Sequence, residues 1–282
     1  MKKAAVIGFP ISHSWSPLIH NYWLKEYGIS GEYEKIEIES GGLKDLILDK
    51  KNDNEFTGLN VTIPHKEHAA EICDQLSENA KKLGAVNLIT FKNNIAYGNN
   101  TDGDGFIESM KETFPEIVIP KMKIGIFGAG GAAKSIALSL SKYKPEKMFI
   151  FNRNIVRAAE LVKKLKIAAE PLHVDKLKDF ERSFDLLINA TPLGMAGVSD
   201  QSSFDFKNIK GLNFFVDIVY NPKKTKNMIL AEEQNIKTMG GLGMLLYQAV
   251  PAFEAFYGKK ARVSSGLRDY IAKHISRIEK WL

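Results

Sequence analysis

Two α/β units are the fold class that this sequence predicts, and three observations predict it. Short apolar segments alternate with helical patterns through most of the chain. A glycine-rich turn, Gly128-Ala129-Gly130-Gly131, joins one such segment to a helical stretch. The chain has 282 residues, room for one large or two ordinary domains.

Composition narrows the class. Hydrophobic residues make up 44% and charged residues 26%, the balance of an ordinary globular protein. No apolar run approaches the roughly 20 residues of a membrane helix. The N-terminus, MKKAAVIGFPISHSWSP, is basic, but its apolar part is short and broken by Gly8 and Pro10. It reads as a first strand, which predicts a cytoplasmic protein. The single cysteine, Cys73, excludes a disulfide framework and a Cys-rich zinc site, and no metal is expected. Its helical spacing predicts a buried structural thiol. The net charge of +6 is spread along the chain, a solvated surface with some attraction for small anions. No basic stripe with interleaved aromatics points to nucleic acid. The basic, amphipathic C-terminus, ARVSSGLRDYIAKHISRIEKWL, predicts a packed terminal helix rather than a membrane-facing one.

Strands are expected at residues 4–8, 33–38, 58–62, 86–91, 95–97, 123–127, 148–151, 186–189 and 214–217. Helical patterns between them include residues 17–27, 132–142 and 155–164, with another opening near Phe106. This repetition argues for parallel sheets covered by helices. Two prolines bracket an apolar stretch at residues 114–123, where the pattern starts a second α/β unit. After Thr238 the alternation gives way to helical segments that the pattern alone assigns to neither unit.

The second unit opens on a nucleotide loop. KIGIF is followed by Gly128, Gly130 and Ala133 in G-x-G-x-x-A spacing, with another strand at the expected distance. The glycines permit a tight turn and a close approach to a pyrophosphate, and Ala133 lets the helix pack on the strand. The helix N-terminus offers free N–H groups to phosphates. The next strand ends in Asn152-Arg153-Asn154, then Arg157, with no acidic residue for a ribose 2′-OH. Arginines bind a 2′-phosphate through charge-assisted hydrogen bonds, so NADP(H) is expected over NAD(H). Their spacing of four predicts a shared helix face.

The first unit carries polar strings at strand ends. Ser12-His13-Ser14-Trp15-Ser16-Pro17 follows the first strand, and Ser16 before Pro17 predicts a helix N-cap. In Asn60-Val61-Thr62-Ile63-Pro64-His65-Lys66, Asn60 and Thr62 share a strand face, and Lys66 stands at a helix start, where a cation is disfavoured. Asn87 enters another strand. GNNTDGDG holds Asp102 and Asp104, and Asp104 is expected to cap or charge the following helix. Hydroxyls, amides, a lysine and a carboxylate at strand ends suit a small polyhydroxylated anion.

Taken together these strings resemble the shikimate dehydrogenase family over nearly the whole chain. The resemblance rests on Ser14-Trp15-Ser16-Pro17, Asn60 to Lys66, Gly84-Ala85-Val86-Asn87, Asn100-Thr101-Asp102-Gly103 and Gly128 to Ala132. Asn152-Arg153, Asn189-Ala190-Thr191-Pro192-Leu193-Gly194-Met195, and Gly241 to Leu245 with Gln248 complete it. It implies reversible reduction of 3-dehydroshikimate to shikimate with NADPH, a step of aromatic amino-acid biosynthesis. It also implies two domains with a cleft between them. Residues 1–101, completed by C-terminal helices 240–282, would bind substrate, and residues 102–239 would form a Rossmann-type NADP domain.

By the same resemblance Lys66 and Asp102 are a catalytic pair. Substrate contacts are implied for Ser14, Ser16, Asn60, Thr62, Lys66, Asn87, Asp102, Tyr220 and Gln248. Cofactor contacts are implied for Glu78, Gly128, Ala129, Gly130, Gly131, Ala132, Asn152, Arg153, Arg157, Thr191, Ile218 and Gly241. The implied partner is a small-molecule substrate, and the implied assembly is a monomer or homodimer. Asn154 stands where a threonine or another small polar residue is commoner, and Trp15 where smaller residues also occur. The alternatives are a quinate/shikimate dehydrogenase and a non-catalytic nucleotide-sensing relative. Retention of Lys66 and Asp102 speaks against the latter.

Overall fold

The structure, a computed structural model, describes residues 1–177, 184–196 and 204–279. The backbone divides into two compact units, residues 1–101 with 246–282, and residues 102–245.

The first unit runs β1 (Lys2–Gly8), α1 (Ser16–Glu26), β2 (Gly31–Glu37), α2 (Leu43–Asn52), β3 (Phe56–Val61), α3 (Lys66–Ile72), β4 (Gln75–Leu76), α4 (Glu78–Leu83), β5 (Leu88–Lys92) and β6 (Ile95–Asn99). Its sheet has the order β2-β1-β3-β5-β6-β4. Buried from Ala4 to Gly8, β1 reads as a central strand with both faces covered. The wholly parallel sheet expected from strand–helix alternation is corrected here. β5 runs antiparallel to both β3 and β6, so this sheet is mixed. The cause is local. Asn93 and Asn94 take positive φ, 51° and 57°, and turn β5 into β6 as a two-residue hairpin.

The second unit runs α5 (Asp102–Thr113), β7 (Lys123–Phe127), α6 (Gly131–Ser141), β8 (Lys147–Asn152), α7 (Ile155–Leu165), β9 (Glu170–His173), β10 (Leu186–Asn189), β11 (Phe214–Asp217), α8 (Lys226–Glu232) and β12 (Lys237–Gly240). Its sheet, β12-β11-β10-β7-β8-β9, is parallel throughout. The strand order reverses between β7 and β10, the doubly wound arrangement of dinucleotide-binding domains. An aromatic core fills one side, with Phe127, Phe149, Phe151, Phe184, Phe204, Phe206 and Phe215 all buried.

Two helices end the chain, α9 (Leu242–Tyr257) and α10 (Ser265–Glu279). The division between the units falls inside α9, between Leu245 and Leu246, where the resemblance implied residue 240. The reason is close packing, because Gly241 lies against Ile218 and Gly243 against Ser109. Beyond that point α9 sends Phe253 and Phe256 against His20 of α1. The terminal helix packs on α1 as expected, with Tyr270 beside Tyr22 and both Leu267 and Ile271 buried. Among the described residues no helix is long and apolar enough to cross a membrane.

Three local expectations are corrected. The helix expected near Phe106 begins at Asp102, and Asp104 lies in its first turn as the expected charge there, 3.8 Å from Lys142. Gly103 permits this, since a Cβ there would strike Ser139 and the Ser135 carbonyl of α6. Ser16 is the first residue of α1, and the N-cap position is taken by Trp15. Cys73 is half-buried just past α3, and burial, then Asp74, push its thiol up to about 12.

Candidate active site

In each sheet the strand order reverses beside the first strand of the unit, and loops diverge there at the C-terminal strand ends. In the first unit that point lies between β1 and β3. Two main-chain bonds tie the exits together: Thr62 N–H donates to the Ile7 carbonyl at 3.0 Å, and Phe9 N–H to the Ile63 carbonyl at 3.1 Å. Gly8 is required, because a Cβ would come 2.6 Å from the Thr62 methyl. The strings holding Ser14, Ser16, Thr62 and Lys66 leave from this place.

Ser16 is buried at the start of α1, and the Tyr33 phenol of β2 is buried as well. That phenol donates to Asn60 Oδ1 at 2.7 Å. Asn60 Nδ2 donates to the Asn87 carbonyl at 3.1 Å. Asn87 Nδ2 in turn donates to Gln248 Oε1 at 3.3 Å and to Thr101 Oγ1 at 3.0 Å. Thr101 N–H returns a bond of 2.9 Å to Asn87 Oδ1. The structure therefore joins Tyr33, Asn60, Asn87 and Gln248 in one hydrogen-bonded chain. Ser14 and Thr62 are half-buried beside it. Lys66 is half-buried at the first position of α3, and its carbonyl accepts Val86 N–H at 2.8 Å. That bond fixes the helix start to the segment entering β5.

In the second unit the reversal lies between β7 and β10. Gly128 has φ +111°, and a Cβ there would lie 2.8 Å from the Ala190 carbonyl. Only glycine meets both conditions. At Gly130 and Gly131 a Cβ would meet nothing within 4 Å, so the space over the loop is open at the N-terminus of α6. Ala129 and Ala132 flank it and Ala133 is wholly buried. This glycine cradle fits a dinucleotide pyrophosphate. Gly128→Ala is expected to lower Tm and to raise KM for NADP+ more than KM for shikimate; unchanged values of both would refute the cradle.

The arginine pair is corrected in detail. Asn154 is the N-cap of α7, accepting from the N–H groups of Val156 and Arg157. Arg153 precedes the cap and Arg157 lies within the first turn, so they do not share a helix face. Both are exposed, and among the described residues neither forms an ion pair. Asn152 Nδ2 donates to the Asn154 carbonyl at 2.9 Å and holds the turn between them.

Across the reversal point, Thr191 N–H and hydroxyl both donate to Asn189 Oδ1, at 3.1 and 2.6 Å. Asn189 Nδ2 donates to Asp217 Oδ1 at 3.0 Å. Asp217 is wholly buried, and its other oxygen accepts Thr225 Oγ1 at 2.8 Å. Burial pushes this carboxyl above the usual carboxylate range, opposed by its hydrogen bonds from Thr225, Val219, Asn189 and Asn227. Gly241 packs directly on the Ile218 carbonyl and donates its N–H to Val219 at 3.0 Å. The structure thus brings Thr191, Ile218 and Gly241 to one edge of this sheet. Tyr220 follows half-buried, and burial pushes its phenol up. Asp102 is buried at the first position of α5. Glu78 belongs to the other unit, exposed in the first turn of α4 and 3.2 Å from Lys81. Among the described residues no group of acidic, histidine or cysteine side chains is arranged to hold a metal ion.

Sequence reasoning singled out neither Tyr33 nor Asp217. For Asp217 a signal existed, a carboxylate at the end of the otherwise apolar strand FFVD. For Tyr33 there was none, since EYEKIE reads as an ordinary half-exposed strand.

A family model described as the shikimate dehydrogenase substrate binding domain matches residues 6–89. A second, shikimate / quinate 5-dehydrogenase, matches residues 109–239. The shikimate dehydrogenase (NADP(+)) of Rhizobium etli is 39% identical over 272 residues, 95% of this chain and 94% of its own. The chain belongs to the shikimate dehydrogenase family. Solved members share the fold. Shikimate 5-dehydrogenase from Thermus thermophilus, in complex with NADP(H) and shikimate, superposes with TM-score 0.85 at 29% identity, covering 97% of this chain and 99% of its own. The Listeria monocytogenes enzyme, in complex with shikimate and NAD, superposes with TM-score 0.89 at 29% identity and covers 96% of both chains. Shikimate dehydrogenase membership and the two-domain α/β class are as the motifs implied.

Proposed function

We propose that this protein is an NADP(H)-dependent shikimate dehydrogenase that reversibly reduces 3-dehydroshikimate to shikimate for aromatic amino-acid biosynthesis. The observation that carries the reading is the hydrogen-bonded chain Tyr33–Asn60–Asn87–Gln248, with Ser16 and Lys66 at the same strand ends. Hydroxyl and amide groups recognise a polyhydroxylated ring, and a lysine answers its carboxylate or a developing oxyanion.

The glycine cradle and Thr191, Ile218 and Gly241 would hold the nicotinamide nucleotide, and Arg153 and Arg157 its 2′-phosphate. The bound cofactor supplies or accepts the hydride at the substrate carbon. Lys66 is assigned the proton: its ammonium stabilises negative charge growing on the substrate oxygen and then donates to it. In the oxidising direction the amine takes the hydroxyl proton back. Asp102 is assigned a substrate hydroxyl, which its carboxylate orients as an acceptor. The remaining Ser14, Ser16, Thr62, Asn87, Tyr220 and Gln248 fix the ring against rotation. The protein works in the cytoplasm, as a monomer or homodimer.

Removing both arginines, Arg153→Ala with Arg157→Ala, is expected to raise KM for NADP+ about 10- to 100-fold, the loss of one or two charge-assisted hydrogen bonds. KM for NAD+ should stay within about twofold, since NAD+ lacks the phosphate. An equal rise for both cofactors would remove the arginines from phosphate recognition. Quinate use is the second reading, and the shikimate / quinate description of the matching second domain favours testing it. Steady-state kinetics with each substrate separate the two.

A further inference from the structure

We infer that Asp217, at the end of β11, is a positioning residue whose buried carboxylate holds Thr191, Ile218 and Gly241 in the arrangement that receives the nucleotide. The inference rests on the NADP(H) reading above.

Three segments of the second unit meet on this one side chain. Its Oδ1 accepts Asn189 Nδ2 at 3.0 Å, from the end of β10, and Val219 N–H at 3.1 Å, from the exit of its own strand. Its Oδ2 accepts the Thr225 hydroxyl at 2.8 Å, and that hydroxyl caps α8 by accepting Met228 N–H at 3.2 Å. The Val219 bond carries on to Gly241, whose N–H donates to the Val219 carbonyl at 3.0 Å. Ile218 lies between Asp217 and Val219, and its own N–H donates to the Asn189 carbonyl at 3.1 Å.

Asn189 carries the constraint to Thr191. The Thr191 N–H can only donate, so the Asn189 atom 3.1 Å from it is the amide oxygen. The Thr191 hydroxyl, 2.6 Å from that same oxygen, must donate as well. The amide NH2 then faces two acceptors, Asp217 Oδ1 and the Leu193 carbonyl, each at 3.0 Å. A flipped amide would set donor against donor at Thr191 and oxygen against the carboxylate at Asp217. Leu193 N–H donates to Thr191 Oγ1 at 3.2 Å, which leaves that hydroxyl one lone pair. Thr191 therefore meets a ligand only as an acceptor.

A carboxylate is a costly filling for this place. Asp217 is wholly buried, and among the described residues it has no ion-pair partner, so burial works against its charge. Its use lies in accepting donors from three segments at once, which no apolar residue does. An asparagine would keep part of this. Its oxygen can take the Asn189 and Val219 donors while its NH2 turns to the Thr225 oxygen.

Two measurements on the full-length protein test the inference. The first is amide hydrogen exchange of the wild type without nucleotide. Thr191, Leu193 and Val219 are expected to exchange at least about 100-fold more slowly than unstructured chain, because their N–H groups are already bonded. The second is titration calorimetry with NADPH and, separately, with shikimate. Asp217→Ala is expected to raise Kd for NADPH about tenfold, the worth of one hydrogen bond, and to leave Kd for shikimate within about threefold. Asp217→Asn should bind NADPH within about threefold of the wild type. Thr225→Val, which removes the α8 cap and the partner of Oδ2 alone, should lower Tm yet keep Kd for NADPH within about threefold. Three results overturn the inference: exchange of these amides at the unstructured rate, an unchanged Kd for NADPH in a folded Asp217→Ala, or a rise in Thr225→Val equal to that in Asp217→Ala. If Asp217→Ala does not fold, the exchange rates and Asp217→Asn decide, and a rise of about tenfold in Asp217→Asn overturns it. If the wild type does not bind NADPH, the cofactor reading falls with this inference. If it does and one of these contrary results appears, only this inference falls.

Discussion

Lys66→Ala is expected to lower kcat for shikimate oxidation by about 10² to 10⁴, the usual worth of a positioned general acid or base, and to leave KM within several-fold. The argument begins with placement. A lysine at the first residue of α3 faces the helix dipole at its unfavourable end, so the dipole does not favour it there. Its main chain is nonetheless fixed, through the Val86 bond, beside the segment carrying Asn87. An amine held there acts on a charge that exists only while the hydride moves, and such an interaction appears in kcat rather than in KM. Lys66→Arg sharpens the result. Arginine keeps the positive charge but does not give up a proton near neutral pH. It should therefore restore little of kcat. An unchanged kcat in Lys66→Ala would remove this residue from the chemistry.

The second large effect concerns acid stability. His20 is wholly buried among Trp23, Tyr33, Phe253 and Phe256, and neither ring nitrogen has a hydrogen-bond partner among the described residues. Burial alone lowers its pKa from 6.5 to about 3. The unfolded chain takes up this proton near pH 6.5, whereas the folded chain refuses it until about pH 3. The contribution to stability is thus fully present above pH 6.5 and is lost as the pH falls toward 3. The slope is about 1.4 kcal/mol per pH unit, or about 2 kcal/mol by pH 5, from this one residue. That is a large part of the 5 to 15 kcal/mol typical of a folded domain. Urea unfolding of the wild type and His20→Phe at pH 7 and pH 5 measures it. The wild type should lose about 2 kcal/mol more than the variant between the two; equal losses would show that His20 does not titrate in this range.

Much of the second unit was readable because its information is local. Buried parallel strands are short apolar runs, and the expected residues 123–127, 186–189 and 214–217 coincide with β7, β10 and β11. The glycine loop is equally local, since the left-handed φ of Gly128 falls within the motif itself. The strands that went unseen, β4, β9 and β12, are all edges of their sheets. Their sequences, QL, EPLH and KTMG, are short and polar because an edge strand is packed on fewer sides. The hairpin β5–β6 was missed for a different reason. Its direction depends on two asparagines at positive φ, and a strand-by-strand reading does not see a reversal.

The start of α5 shows tertiary packing overriding propensity. Gly103 and Gly105 disfavour a helix, which placed its expected start near Phe106. Yet a glycine is what allows α5 to lie directly on Ser135 and Ser139 of α6. The same limit applies to the site. Motif residues such as Asn60, Asn87 and Gln248 stood out in the sequence, but their connection did not. Tyr33 donates to Asn60 from 27 residues away, a relation that pattern does not encode. The spacing of Arg153 and Arg157 misled for a related reason, because the Asn154 cap places the helix start between them.

The most direct measurement of the central claim follows reduced-nicotinamide absorbance as the purified protein is offered shikimate or quinate, each with NADP+ or NAD+. The account predicts turnover of shikimate with NADP+ at a kcat/KM at least about tenfold above every other pairing, the worth of one charge-assisted hydrogen bond to the 2′-phosphate or of one matched substrate contact. No turnover of shikimate, or a preference for quinate or NAD+, would contradict it.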